Sequence, residues 1–568
     1  MALTDTTPQI KEATDVVTQK VLINGLAISG EASVFAISVN AIFNKISVAT
    51  VVLHDGDVAK REFKLSNSEQ FKPGNEIEIQ LGYHGNVETV FKGIITKHAL
   101  KAKQENSSFL LIEAKNKAVK LTIGRNNKYY FDKKDSEIIE KICSDAGVNK
   151  DVAVTAVLYK EMVQYYATDW DFIVQRAESN GMLVLTDIDK LVIKKPNAGS
   201  SPVFTATYGD NIFEFETEMD ARQHFKSIKS YSWNVADQKI EKSEEGNFSF
   251  ANNGNLSDDD LSKVIGLKEL SLHHAGNIND EELKEWANAY AMKNKLSKIC
   301  GKLKVHGTTK VKPGSVITIK GMSDRFNGNV FVTGIQQQFS LSHWFTEIQF
   351  GWNNEWFYKK EDIIEKPSSG LVPGINGLHT GIVTKIDQDP DGNFRIKVKI
   401  PLIDDNEEGI WARVATLDAG KDRGSFFLPE VKDEVILGFI NDDPRQAVVL
   451  GMLHSKKNNA PVTVSNKNNE KGFYTRSKIK LFFDDDKKSI TLITPKKKSI
   501  ILSDDDGSII LKDELENKIT MNSDGISIES KKDIKLKATG QVKVEGTAKI
   551  ELTSSGQAVL KGKVVNIN

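Results

Sequence analysis

Cysteine is nearly absent: Cys143 and Cys300 are the only two in 568 residues, and neither belongs to a CxxC pair. That excludes a disulfide framework and a zinc ribbon. No apolar run approaches the ~20 residues that a membrane-crossing helix needs. The opening stretch "MALTDTTPQIKEATDVV" is polar and acidic, without the basic-then-apolar order of a secretory leader, so synthesis in the cytoplasm is expected. An excess of either charge is missing too. With 76 Lys and Arg against 77 Asp and Glu the formal net charge is −1, which gives no overall pull toward nucleic acid or acidic membranes.

Catalytic signatures are also lacking. There is no HExxH, GxSxG or GxGxxG, and "DAGKDRG" (Asp418 to Gly424) has Ala415 and Asp422 where a phosphate-binding loop would need other residues. His273 and His274 have no further His or Cys at ligand spacing and read as a solvated loop. The acid runs Asp484–Asp486 and Asp504–Asp506 stand near lysines and read as solvated corners rather than calcium ligands. No catalytic, cofactor-binding or metal-binding residue is therefore expected.

What the chain does contain is strand pattern: short alternating runs rich in Val, Ile and Thr, broken by Gly, Asn and Asp. The fold class expected is mainly β with a few helices, in several domains. Helices are expected at Asp135–Ala146, Asp169–Asn180 and Asp280–Cys300, all with packing faces. The linkers "EKPSSGLVPGING" and "SKKNNAPVTVSNKNNEKG" divide the chain into domains at 1–365, 377–455 and 473–568, with linkers at 366–376 and 456–472. Within the first region, Phe71–Lys97 echoes Val311–Gln337. Each has Lys-Pro-Gly, an alternating strand, and a second strand ending in Gly-Ile, so two related β-barrel modules are expected.

Residues 377–455 read as five strands, suiting a small Greek-key barrel of the oligonucleotide/oligosaccharide-binding (OB) type. From Ile375 to Ser455 nine basic residues face fourteen acidic ones, which disfavours nucleic acid as a partner and favours a structural adaptor.

The C-terminal region is periodic. Ile526, Ile534, Val542, Ile550 and Ala558 recur every eight residues, and Ile528, Leu536, Val544, Leu552 and Leu560 repeat two places on. Alternation gives each octapeptide one apolar and one polar face, but so short a strand cannot enclose its own core. Three copies, each giving one side of a prism, solve that problem: a homotrimeric β-helix needle with these residues turned to the axis. Upstream, Ile490, Ile500, Ile509 and Ile519 stand nine or ten apart, read as wider rungs with looped corners, in preference to a meander.

With these features in view the chain resembles the VgrG-type spike proteins, the hub and needle of contractile injection machines. The motif "ARVATLDAGKDRGSFFLPEVKDEVILGFINDDPRQAVVLGMLHS" (Ala412 to Ser455) carries the likeness most clearly. "YYATDWDFIVQRAESNGMLV" (Tyr165 to Val184) and "FNGNVFVTGI" (Phe326 to Ile335) resemble the family's hub. The resemblance implies a trimer whose two barrels per chain adapt a hexameric inner tube (Hcp-like) to a threefold needle. It also implies baseplate partners, a PAAR-type tip protein, effector cargo, and mechanical rather than catalytic contact with a target membrane.

Departures from relatives are expected as well. About twenty polar residues between His454 and Phe473 leave no room for a lysozyme domain, no effector is expected after "GKVVNIN", and no histidine after His454 supplies an iron-binding tip. After Leu560 the register slips by one, so Val564, Val565, Asn566, Ile567 and Asn568 are the expected docking end for the tip protein. The alternatives are a tail-associated peptidoglycan- or glycan-degrading enzyme and, less favoured, a nucleic-acid-binding barrel.

Overall fold

The computed structural model describes residues 14–30, 32–102, 108–197, 199–250, 253–353, 355–360 and 362–567. Most of the polar opening stretch, residues 1–13, and the last expected docking residue, Asn568, lie outside them. The chain divides into two compact units, Met1–Lys366 and Pro367–Asn568. Among the described residues no helix is long and apolar enough to cross a membrane.

The first unit is built on one 13-stranded sheet. In its first half Val17–Ile23, Glu76–Tyr83, Asn86–Lys101, Phe109–Lys115, Val48–His54 and Val34–Ile42 lie side by side in that order. Alternation turns Leu53, Ile79, Leu81, Leu110 and Ile112 into a fully buried core. The second half continues from Val34–Ile42, which pairs with Gly328–Ser340 from Gly334↔Ile42 to Ser340↔Ala36. Beyond it come His343–Phe350, Cys300–His306 and Glu214–Glu218, and Ile317, Ile319, Val332, Ile348 and Phe350 form a separate core. The strand Gly328–Ser340 serves both halves, with a register shift between Val332 and Gly334.

The internal echo is present in the backbone. Gly74 and Gly314 both adopt positive φ, +101° and +94°. The amide of Gly74 donates to Ile95 O at 2.8 Å, and that of Gly314 donates to Val332 O at 2.8 Å. Glycine supplies this conformation without steric cost, which is why Lys-Pro-Gly recurs. One detail of the echo is corrected. Ile77 pairs with Gly93, while its counterpart Ile317 pairs with Val330, so Gly93 and Gly334 occupy different places. Their reasons differ as well: a Cβ at Gly93 would meet Lys115 O at 2.3 Å, and one at Gly334 would meet Ile42 Cγ1 at 2.7 Å.

Helices Asp135–Asp145 and Asp169–Ser179 pack through Ile138, Ile139, Ile142, Trp170, Phe172 and Ile173. Thr168 caps the second by accepting from Asp171 N at 3.0 Å, and Gly181 follows at φ +65°. The hub-like segment owes its pattern to packing. Arg176 donates Nε and Nη2 to the buried Asp135 carboxylate at 2.8 and 2.9 Å, and Asn180 adds a third bond at 2.8 Å. Helix Asp280–Leu296 stops four residues earlier than expected, because Cys300–His306 is drawn into the sheet. A further helix, Asp258–Ile265, was not anticipated. Its capping box (Ser257 with Asp260) and left-handed Gly266 at φ +75° are sequence signals that the run of aspartates obscured. His273 and His274 lie on the strand Leu270–His274, not in a loop, with His273 stacked on Tyr231 at 5.2 Å.

In the second unit His379–Lys385, Ile396–Lys399, Ile410–Val414, Ala447–Met452 and Glu434–Phe439 close a five-stranded barrel in that order. Closure needs one parallel pair, Arg413↔Val448 and Val414↔Val449. The filling is Val383, Ile396, Val398, Ala412, Val435, Leu437 and Val449. Gly409 has φ +88°, and a Cβ there would meet Val398 O at 2.0 Å. Gly409→Ala is therefore expected to destabilise the barrel by roughly 2 kcal/mol or more, from a disfavoured backbone and a clash together. Denaturant unfolding checks this, and an unshifted midpoint would contradict it.

Candidate functional site

The region from Glu470 to Glu529 forms a seven-stranded sheet of consecutive five-residue strands: Glu470–Tyr474, Lys480–Asp484, Ser489–Ile493, Ser499–Ser503, Ser508–Lys512, Lys518–Asn522 and Gly525–Glu529. All neighbours are antiparallel. This corrects the expectation of wider rungs: within one chain the nine- and ten-residue spacing is a meander. Five strand residues leave four or five for a turn, enough to reverse the chain. Each of the long turns holds one left-handed residue, at Lys478, Lys488, Lys497, Gly507 or Glu516.

Because every strand has the same length and alternation, its apolar residues stack in register. One column runs Phe473, Leu481, Leu492, Ile500, Leu511, Ile519 and Ile528, each paired with the next. The second runs Phe483, Ile490, Leu502, Ile509, Met521 and Ile526. These thirteen share one face of the sheet. The opposite face carries the central column Phe482, Thr491, Ile501, Ile510, Thr520 and Ser527. The usual order is inverted: Thr491 and Ser503 are buried, while Ile490, Leu492, Ile500, Leu502 and Ile509 remain about 40% exposed. A row of large aliphatics left half in water on so regular a face marks an interaction surface.

Beyond Glu529 the octapeptides keep their beat without pairing. Gly525–Glu529 is the last strand among the described residues, and bends follow at 531–532, 539–540, 547–548 and 555–556, eight apart. Ile526 and Ile528 end the two ladders, and Ile534 joins Leu492, Ile500, Leu511, Ile519 and Ile528 around an open groove of about 610 Å³. Leu536, Val542, Val544, Ile550, Leu552 and Leu560 are all exposed, Leu552 by 83%. So are Val564, Val565, Asn566 and Ile567 at the expected docking end. The structure therefore gathers Ile526, Ile528 and Ile534 with the upstream ladder and leaves the rest on a lone strand-like segment. Beside Ile490, Ile500, Ile509 and Ile519, the sequence reading missed Phe473, Leu481, Phe483, Leu492, Leu502, Leu511 and Met521, though plain alternation within each run could have found them.

Charge is confined to the margins. Lys498 Nζ reaches Glu514 Oε1 at 2.5 Å and holds that carboxyl below its ordinary range, while Asn517 and backbone amides do the same for Asp513. Asp484 Oδ1 accepts from the amides of Asp486 and Lys487, and Asp506 from Ser503 Oγ. Among the described residues no three His, Cys, Asp or Glu side chains gather as a metal-binding group. The barrel is joined to the first strand by Phe427 stacked on Phe473 at 5.3 Å and by Arg476 with Glu430 at 2.9 Å.

Two protein families match this chain: residues 13–340 match the Alg8 N-terminal domain, and residues 379–454 the type VI secretion system/phage-baseplate injector OB domain. Among curated proteins it is similar to the type VI secretion system spike protein VgrG5 of Pseudomonas aeruginosa. They are 31% identical over 113 residues, 18% of this chain and 14% of that one. The spike protein VgrG3 of Vibrio cholerae is 40% identical over 74 residues, 12% of this chain and 7% of the relative. The chain thus matches under a fifth of the length of either. Among solved structures, a 43 kDa prophage tail protein of Shewanella oneidensis overlaps 59% of this chain and 98% of its own, at 12% identity and a TM-score of 0.45. The E. coli c3393 protein, a type VI secretion component, overlaps 76% and 100%, at 13% identity and a TM-score of 0.40.

Proposed function

The chain belongs to the family of the Alg8 N-terminal domain and to the VgrG-type spike proteins of contractile injection systems, and from that premise we propose that three copies join along their apolar ladders into one piercing spike. The carrying observation is the double ladder of half-exposed aliphatics that runs unbroken from Phe473 to Ile528 and on to Ile534. Sealing a side chain that is 40% exposed is worth about 1 kcal/mol, and the octapeptide residues are worth more because they start more exposed. Thirteen ladder positions per chain then contribute on the order of 10 kcal/mol or more, comparable with the roughly 4–15 kcal/mol cost of association. The octapeptides add the surplus.

In this reading Ile526, Ile528, Ile534, Leu536, Val542, Val544, Ile550, Leu552 and Leu560 line the axis of the needle. The barrel at 377–455 is the adaptor between the hub, 1–365, and the needle, 473–568. The duplicated hairpins of the first unit support six similar modules per trimer, suited to an Hcp-like hexameric tube. Val564–Asn568, past the register slip, would receive a PAAR-type tip, with cargo carried on tip or tube. Assembly takes place in the cytoplasm on baseplate proteins, and contraction then drives the spike through the target envelope. The work is mechanical, not catalytic.

The test is the mass of the purified full chain by light scattering. Three 63.1 kDa chains per particle are expected. A well-folded single chain at micromolar concentration would overturn the proposal.

A further inference from the structure

The two long margins of the C-terminal sheet carry opposite charge. Because the strands run across the sheet, successive turns fall on alternate margins. One margin holds residues 474–480, 493–499, 512–518 and 529–533, with ten basic and five acidic residues. The other holds Glu470 and residues 484–489, 503–508 and 522–525, with eight acidic and two basic residues. The net charges are thus +5 and −6. Few of these groups are used within the chain. Lys498 pairs with Glu514, Lys512 with Glu516, Lys471 with Asp485, Arg476 with Glu430 and Lys535 with Asp533. Lys496, Lys497, Asp504 and Asp505 are exposed and form no ion pair among the described residues.

The turns differ in length as well. Those of the basic margin, 475–479, 494–498 and 513–517, have five residues, while 485–488 and 504–507 on the acidic margin have four. A rotation about an axis parallel to the sheet leaves every turn at its own height. The turn "TPKKK" (Thr494 to Lys498), lying between the third and fourth strands, would therefore arrive between two acidic turns of a neighbouring copy. Those are "DDDKK" (Asp484 to Lys488), one strand below, and "SDDDG" (Ser503 to Gly507), one strand above.

Resting on the threefold reading above, we infer that these margins are the contact that closes the ring: the lysine turns of each copy interlock with the aspartate turns of the next. The partner is a second copy of this chain, met head to tail, basic margin against acidic margin. Such a contact is heterologous, so it closes only when every copy faces the same way around the axis. Like margins brought together repel, which rejects the inverted pairing that a bare apolar face would tolerate. The apolar ladders supply adhesion, and the margins set direction.

The test uses the full chain, with assembly followed by sedimentation over a range of concentrations. The variants are Lys496→Glu/Lys497→Glu, Asp504→Lys/Asp505→Lys, and the four together. Lys498 and Asp506 are kept, because they hold Glu514 and Ser503 within the chain. At about 50 mM salt each double variant is expected to raise the half-assembly concentration about tenfold or more, and the quadruple variant to restore it. At about 1 M salt the wild-type and variant curves should converge. Circular dichroism of the separated species shows whether each variant is folded. A trimeric wild type whose double variants assemble equally well, or whose quadruple variant brings no recovery, overturns the margin contact and leaves the threefold spike standing. A wild type that is a single chain at every concentration overturns the spike reading itself.

Discussion

Ile500→Asp is expected to break the assembly into single chains while leaving the first unit folded. Ile500 sits mid-ladder between Leu492 and Leu511, with its side chain 41% exposed in the single chain. In a threefold spike the substitution sets three carboxylates at one height beside the axis. Each loses the apolar burial of Ile and is stripped of water next to two like charges, at several kcal/mol per copy. Ser527→Asp, on the other face and outside both margins, should shift assembly by less than about 0.5 kcal/mol. The pair Val544→Asp and Lys543→Asp repeats the comparison among the octapeptides, where Lys543 already faces Glu545 along the strand. If Val544→Asp is as silent as Lys543→Asp while Ile500→Asp dissociates the particle, the shared axis stops at the meander. If all four are silent, the ladder face is not where the copies meet.

The apolar face was legible because alternation is local: two places along a strand return to the same side whatever the strand pairs with. The pairing Ile519↔Ile528 and Met521↔Ile526 sets Ile526 and Ile528 on one side of the sheet and Ser527 on the other. What alternation could not decide was whether a nine- or ten-residue spacing steps forward or doubles back. The deciding feature is a left-handed residue in each turn, and of Lys478, Lys488, Lys497, Gly507 and Glu516 only Gly507 advertises that conformation. Lysine in that region carries no sequence mark, so hairpin turns passed for prism corners.

Elsewhere the same division holds. The five barrel strands could be read from their runs of Val and Ile, but not the parallel pair Arg413↔Val448 that closes them, since closure joins residues far apart in sequence. Lys-Pro-Gly at residues 72–74 and 312–314 announced two equivalent turns, because a backbone demand selects the residue. The Gly-Ile steps were a coincidence of composition: Gly93 yields to Lys115 O, and Gly334 to Ile42. The apolar surface of the candidate site could be foreseen residue by residue. The polarity of its margins could not, because it appears only once the turns are sorted onto alternate edges.

Removing the carboxylate of Glu178 is expected to cost the first unit about 3–5 kcal/mol. Lys293, on helix Asp280–Leu296, meets Glu178, on helix Asp169–Ser179, at 2.5 Å, with side chains 1% and 3% exposed. The pair is tied down at both ends. Phe357 N donates to Glu178 Oε2 at 2.8 Å, Lys293 Nζ donates to Glu355 O at 2.8 Å, and the ammonium lies 4.2 Å over the Trp356 ring. Two helices and the stretch around Trp356 thus meet at one buried charge pair. Glu178→Ala strands the ammonium, whereas Glu178→Leu with Lys293→Met removes both charges and should recover most of the loss. The pH dependence has a definite sign. Burial already depresses the Lys293 pKa, Glu178 opposes that effect, and the alanine variant removes the opposition. In the variant the folded state sheds the proton at a lower pH than the unfolded chain, which holds it up to about 10.4. More protons are then bound unfolded than folded, so the stability of Glu178→Ala rises with pH between those two values. Denaturant unfolding followed by tryptophan fluorescence at about pH 7 and pH 9.5 measures it, with wild type as reference. A Glu178→Ala protein as stable as wild type, or one whose deficit widens as the pH is raised, would mean that the Lys293 charge is not held in the folded core by Glu178.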